Sequence, residues 1–124
     1  MLATDRLREP ARILLACVRL LMGLLGLLAP GIPARQIGVD PEANPGILYV
    51  FRMFGIRTVL IGAELLMQTG DRRAEALRRA VVIHASDTLA AYLASRSPNF
   101  PKKGRIIIWI SAFNTVLAII ANAK

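Results

Sequence analysis

The sequence predicts an all-α fold, a bundle of four transmembrane helices. The chain is 55% hydrophobic and has a mean hydropathy of +0.50, whereas ordinary soluble domains contain about 45–50% apolar residues. Its apolar residues are concentrated in four segments, separated by three short connections rich in proline, glycine or charge. The last segment carries no formal charge and approaches the ~20 residues that a membrane span needs.

The first predicted helix follows a polar, basic start and resembles the apolar core of a signal peptide. Arg19 interrupts that core and no small-residue cleavage site follows, so we expect the helix to remain as a membrane span. Proline and glycine in residues 30–46 predict a loop after it. We assign residues 1–124 to a single membrane domain, with helices at about 13–29, 47–68, 72–95 and 105–122.

The later helices have recognisable boundaries. Asn44 and Pro45 favour a helix start, because Asn can accept from free amides and proline suits the first helical position. Gly70 is expected to end the second helix, and Asp71 to cap the third. Prolines in residues 96–105 prevent the third and fourth helices from being continuous.

Charge gives the orientation and excludes some functions. The net charge is +8, from 16 Lys and Arg against 8 Asp and Glu, and most basic residues lie between the apolar segments. More of these basic residues lie on the side of the membrane that holds both termini. We therefore expect both termini in the cytoplasm, and we interpret the membrane as the plasma membrane of a bacterium. Nucleic-acid binding is not expected, since aromatic residues are only 6% and no nucleic-acid motif is present.

Metal and cofactor chemistry is not expected either. Cys17 is the only cysteine, so neither an internal disulfide nor a thiolate metal site can form. One histidine with scattered acids does not predict a metal site. Glycine-rich phosphate loops and nucleophile motifs are missing from the sequence. The alternative of a soluble four-helix bundle conflicts with the second and fourth segments, which are apolar all round.

Each predicted helix carries a polar residue near its midpoint, and this is the main functional signal. Antiparallel packing would bring these residues to one depth in the membrane, where each ionised group costs about 2.5–3.5 kcal/mol on insertion scales. They are Arg19, Arg57, the pair His84 and Asp87, and Asn114. His84 and Asp87 are three residues apart on one helical face, so the carboxylate could orient the imidazole and raise its pKa.

The second helix adds Arg52 and Glu64 to its central Arg57. Glu64 shares a face with Arg57, whereas Arg52 points elsewhere and lies nearer the helix end. Three arginines against two carboxylates leave one guanidinium free to bind an anion or a polarised carbonyl. In the alternative reading, pairs such as Arg57 with Asp87, or Arg57 with Glu64, merely fix helix packing.

These residues support three hypotheses of function. The first is binding of a small lipophilic or anionic-headed molecule, or of a membrane partner, through Arg57, Arg52, Arg19, Glu64 and Asn114. The second is a membrane-embedded isomerase, cyclase or hydrolase acting by proton transfer on a lipophilic carbonyl or epoxide. There Asp87 or His84 would be the base and Arg57 would stabilise the electrophile. The third is a structural accessory subunit. Expected partners are the lipid bilayer, such a ligand, and a second copy or another membrane protein.

A motif in the second helix carries a family resemblance. The segment R52-x-x-G55-x-R57-x-x-x-x-G62, followed by Asp87 in the next helix, resembles small four-helix membrane proteins grouped as a domain of unknown function (family 4267). The resemblance covers roughly the second and third helices. It implies a membrane fold with a shared Arg/Asp centre and brings no known activity with it.

Overall fold

A computed structural model describes residues 2–123, with side chains from residue 5 onwards. These residues are all-helical, with no strand among them. The α-helices are α1 (Leu2–Leu28), α2 (Gly31–Gln36), α3 (Gly46–Met67), α4 (Gly70–Ser95) and α5 (Ile106–Asn122), and a 3-10 turn at Lys102–Arg105 precedes α5.

The four long helices form an antiparallel ring. α1 packs against α3 and α5, and α4 packs against α3 and α5. Two ion pairs show that α3 and α4 run in opposite directions. Arg57, in the middle of α3, pairs with Asp87, whereas Glu64, nearer the end of α3, pairs with Arg79, nearer the start of α4. The chain therefore runs up and down through the bundle, and the middles of the helices lie side by side.

Glycines allow α1 and α3 to approach closely. A Cβ atom on Gly55 would lie 2.5 Å from the backbone nitrogen of Leu27 and 2.7 Å from the carbonyl oxygen of Gly23. A Cβ atom on Gly23 or Gly62 would likewise meet atoms of the facing helix within 3 Å. Because such short contacts involve backbone, the two helices could not accommodate a side chain without moving apart.

The packed core occupies one half of the bundle, around the N-terminal halves of α1 and α4. It consists of Ala11, Leu15, Ala16, Leu65, Ala76, Leu77, Ala80, Leu117, Ala118 and Ala121. At the same end, Arg12 donates to the carbonyl oxygen of Leu65 and pairs with Glu9. Arg73 lies 3.9 Å from Glu9 and donates to the carbonyl of Gln68 at 2.8 Å. These bonds tie the start of α1 to the α3–α4 turn.

The local boundaries correct several sequence predictions. α1 begins at Leu2 rather than near residue 13, and the bonds of Glu9 and Arg12 hold the part of the helix before residue 13 against the end of α3. The predicted loop at 30–46 contains the short helix α2. Gly70 has φ +56° but starts α4, and α3 has already ended at Met67. Thr69, not Asp71, is the N-cap of α4, and no side-chain hydrogen bond caps that end.

The surface is that of a membrane protein. Three helical segments are long and apolar enough to cross a bilayer: Asp5–Leu28, Gly46–Met67 and Lys102–Asn122. Large apolar side chains point outward from these segments, among them Leu21, Leu60 and Trp109. A water-soluble monomer rarely exposes so much contiguous apolar surface, whereas lipid solvates it at no cost.

Matched glycine-to-alanine substitutions on α3 test the close helix approach. Gly55→Ala should lower the free energy of unfolding by about 1–3 kcal/mol, because its methyl group collides with the α1 backbone. Gly46→Ala, at the start of the same helix with nothing within 4 Å of its Cβ, should leave stability unchanged or raise it slightly. SDS-induced unfolding in detergent measures both. Equal effects at the two positions would contradict the packing described.

Candidate functional site

A cavity of about 600 Å³ occupies the half of the bundle opposite the packed core. It reaches from the middle of the helices to the end covered by α2 and the 3-10 turn. All four long helices contribute to its walls, which are mostly aliphatic and aromatic. Its volume lies within the roughly 300–1,000 Å³ of small-molecule sites, and such sites are typically apolar with a few placed polar groups.

Charged side chains gather at the inner end of this cavity, near the helix midpoints. Arg57 donates through Nη2 to both carboxylate oxygens of Asp87, at 3.3 and 3.5 Å. The guanidinium carbons of Arg19 and Arg57 lie 6.0 and 5.7 Å from the centre of the Phe54 ring. Both distances suit cation–π attraction, so the ring helps to hold two like charges near each other.

Arg19 is the least satisfied of these groups. Its side chain lines the cavity, yet the residue is only 3% exposed. Its Nε has no hydrogen-bond partner among the described residues, and Nη2 meets only the Met22 sulfur at 3.6 Å. A thioether is a weak acceptor. Within residues 2–123 Arg19 forms no salt bridge, because Asp87 pairs with Arg57 instead. A buried guanidinium is thus left with free donors.

Three predicted ligand-binding residues lie outside the cavity lining: Glu64, Arg52 and Asn114. Glu64 pairs with Arg79 at 3.3 Å, and both side chains are about half exposed. Arg52 is exposed. Of the two packing pairs considered for Arg57, the structure forms the one with Asp87.

His84 and Asn114 lie inside the bundle but do not line the cavity. Each is 1% exposed, and their side-chain nitrogen and oxygen atoms find no partner in the described part of the chain. Thr58, on α3, is equally buried and its hydroxyl is also unpaired. His84 is near enough for the charges of Arg19 and Asp87 to act on it, but its ring forms no hydrogen bond with Asp87.

The cavity also uses residues that the sequence did not single out. Phe54 precedes Arg57 by one helical turn, a spacing that could have marked it as a neighbour. Phe100 and the residues of α2 cover the outer end, and segments full of proline and glycine gave no sign of this role. Ala90 and Ala94 form part of the cavity wall on α4, where their short side chains leave space.

Comparisons with protein-family models, with curated proteins and with solved structures find no match to this chain.

A double-mutant cycle on Arg57 and Asp87 measures their interaction. We expect Arg57→Gln and Asp87→Asn to couple by about 0.5–1.5 kcal/mol in the free energy of unfolding, in the range of polar contacts between membrane helices. Glu64→Gln with Arg79→Gln is the matched control. Its more exposed pair should couple more weakly. Additive effects of the Arg57 and Asp87 changes would show that the ion pair does not contribute.

Proposed function

We propose that all four long helices span the membrane, although α4 is more polar than the other three. α4 sits between α3 and α5 in the ring, so it shares their depth in the bilayer. Its charges are concentrated in its first turns, and from residue 80 to 95 the only formal charge is Asp87. Outward residues in that part include Val82, Leu89 and Leu93. Those 16 residues rise about 24 Å, most of a hydrocarbon core.

The orientation proposed for this bundle puts both termini in the cytoplasm of a bacterial cell. Arg6, Arg8, Arg72, Arg73 and other arginines lie at the end where α1 starts and α4 begins. Fewer basic residues lie at the opposite end. The excess of positive charge favours the cytoplasmic side for the first group.

The function proposed for the cavity is binding of a lipophilic molecule with an anionic head group. The observation that carries it is Arg19, a buried guanidinium that lines the cavity with free donors. Isolated buried charge is costly unless it is paired and hydrogen-bonded. A carboxylate or phosphate matches the geometry of the guanidinium donors and would supply the missing partner.

The remaining features of the cavity support the same ligand class. Asp87 already pairs with Arg57, so its carboxylate does not neutralise the charge of Arg19. Phe51, Phe54 and Ile110 belong to an apolar wall that suits a hydrocarbon tail. His84, the other titratable group considered for proton transfer, does not line the cavity. Asp87, the other base considered, lines the cavity but is paired with Arg57. Binding is therefore better supported than catalysis, which would need an unpaired base facing the substrate.

Native mass spectrometry in detergent tests this function with palmitate as the probe and hexadecanol as its uncharged counterpart. Wild type should retain palmitate in preference to hexadecanol. Arg19→Gln should weaken palmitate binding by about 10- to 100-fold, since hydrogen bonds to charged groups contribute roughly 1.5–3 kcal/mol. Arg52→Gln, which removes an exposed arginine outside the cavity lining, should bind as wild type does.

Other outcomes decide between the alternatives. Equal retention of palmitate and hexadecanol, or an Arg19→Gln variant that binds normally, would contradict an anion site at Arg19. A wild type that stays folded and binds neither compound would favour the accessory-subunit hypothesis. Conversion of a lipophilic carbonyl or epoxide that Asp87→Asn abolishes would favour the enzyme.

A further inference from the structure

The cavity has an open side between α3 and α4. Among its lining residues, Val50 and Arg57 of α3 and Ala90 and Ala94 of α4 are exposed. On the opposite side Arg19 is buried, and α1 and α3 are in backbone contact through their glycines. The cavity is therefore least enclosed where α3 faces α4.

Side-chain size explains this opening. α3 and α4 are joined by ion pairs at Arg57 and Glu64, in the middle and the packed half of the bundle. Farther toward the cavity end, α4 presents alanines at 90, 91 and 94 to the cavity. α3 and α4 pack loosely on each other, and alanine side chains are too short to fill the space between them. No further ion pair joins α3 to α4 within residues 5–123.

Arg57 is exposed at the opening and pairs there with Asp87. The neighbouring surface is apolar: Met53, three residues after Val50, and Leu93, three residues after Ala90, are exposed large hydrophobic residues. Since α3 is long and apolar enough to span a bilayer, this surface lies against lipid chains rather than water. The opening therefore connects the cavity with the hydrocarbon interior of the membrane.

The outer end of the cavity is covered by the connections. Pro33 and Ile37 of the α2 region line it together with Phe100. These segments are packed on one another: a Cβ atom on Gly38 would lie 2.9 Å from Pro101, and one on Gly104 would lie 3.4 Å from the carbonyl oxygen of Ile37. Gln36 and Ile106 line the cavity at this end and are exposed as well, so the cover is incomplete. α3 and α4 are the most loosely packed pair of neighbouring long helices, which makes the side opening the less obstructed route.

The charge at the inner end limits the head group. Two arginines, Arg19 and Arg57, and one aspartate, Asp87, line the cavity, which leaves a single positive charge. A monoanion neutralises that charge, whereas a phosphate monoester carries about −1.5 to −2 charges and would leave an excess of negative charge in a desolvated site.

We propose that the ligand is a single-chain carboxylate, such as a long-chain fatty acid, which enters from the bilayer between α3 and α4 and places its head group at Arg19. This assignment rests on the proposed function and adds the ligand class and the route. The carboxylate leads into the cavity and pairs with the free donors of Arg19. The hydrocarbon tail lies along the apolar wall, near the opening through which it came.

The experiment follows exchange of isotope-labelled palmitate from neutral phosphatidylcholine vesicles into full-length reconstituted protein, read as bound label over time. Ala90→Phe and Ala94→Phe should slow exchange at least tenfold, because each places a ring in the opening. Ala85→Phe is the matched control, since Ala85 is exposed on the same helix but does not line the cavity. It should exchange as wild type does, and thermal unfolding verifies that all variants are folded.

Each part can fail separately. If wild type binds palmitate but both phenylalanine variants exchange at the wild-type rate, the side route is wrong and the proposed function stands. If hexadecyl phosphate displaces palmitate at equal or lower concentration, the carboxylate class is wrong. Failure of wild type to bind any of these anionic amphiphiles would overturn the proposed function itself.

Discussion

The close contact between α1 and α3 is the constraint on which the rest of the structure depends. Gly23 and Gly55 bring the two backbones together, so no side chain separates the helices at that contact. Arg19, one turn before Gly23, is consequently buried and held beside Phe54 of α3. Its guanidinium has no route to an aqueous surface along this contact. A charge fixed at this depth must be satisfied inside the bundle or by something that enters it.

The division of the bundle into a filled half and a hollow half follows from how its side chains are distributed. Leucines and alanines of all four long helices interlock where α1 begins. Beyond the midpoints, the inward residues of α4 are alanines. The helices do not close on one another there, and α2 and the 3-10 turn cover that end of the bundle. Polar groups from each long helix, among them Thr58, His84 and Asn114, lie near the boundary between the two halves.

The sequence predicted the helical class, the membrane character and the helices that carry Arg19, Arg57 and Asp87, because hydropathy and position within a span are local properties. It also offered the pairing of Arg57 with Asp87, though not in preference to Glu64. It could not predict the cavity. The position of a cavity depends on where neighbouring helices separate. An alanine such as Ala90 is compatible both with a tight helix contact and with a cavity wall, so the sequence does not distinguish the two. The folding of α2 over the cavity end was likewise hidden, since prolines and glycines within 30–46 predict a loop.

The two halves should also differ in how readily they open. Backbone amides near Leu15 and Leu77 are surrounded by interlocked side chains and by the bonds of Arg12 and Arg73, so they can exchange their hydrogens only when the bundle largely unfolds. Amides of α4 beyond Asp87 lie beside the cavity and where α4 packs loosely against α3, so we expect them to exchange through smaller openings. The half of the bundle around the packed core should therefore be rigid, whereas the half around the cavity could change its width through movement of α4 while α1 and α3 stay in contact.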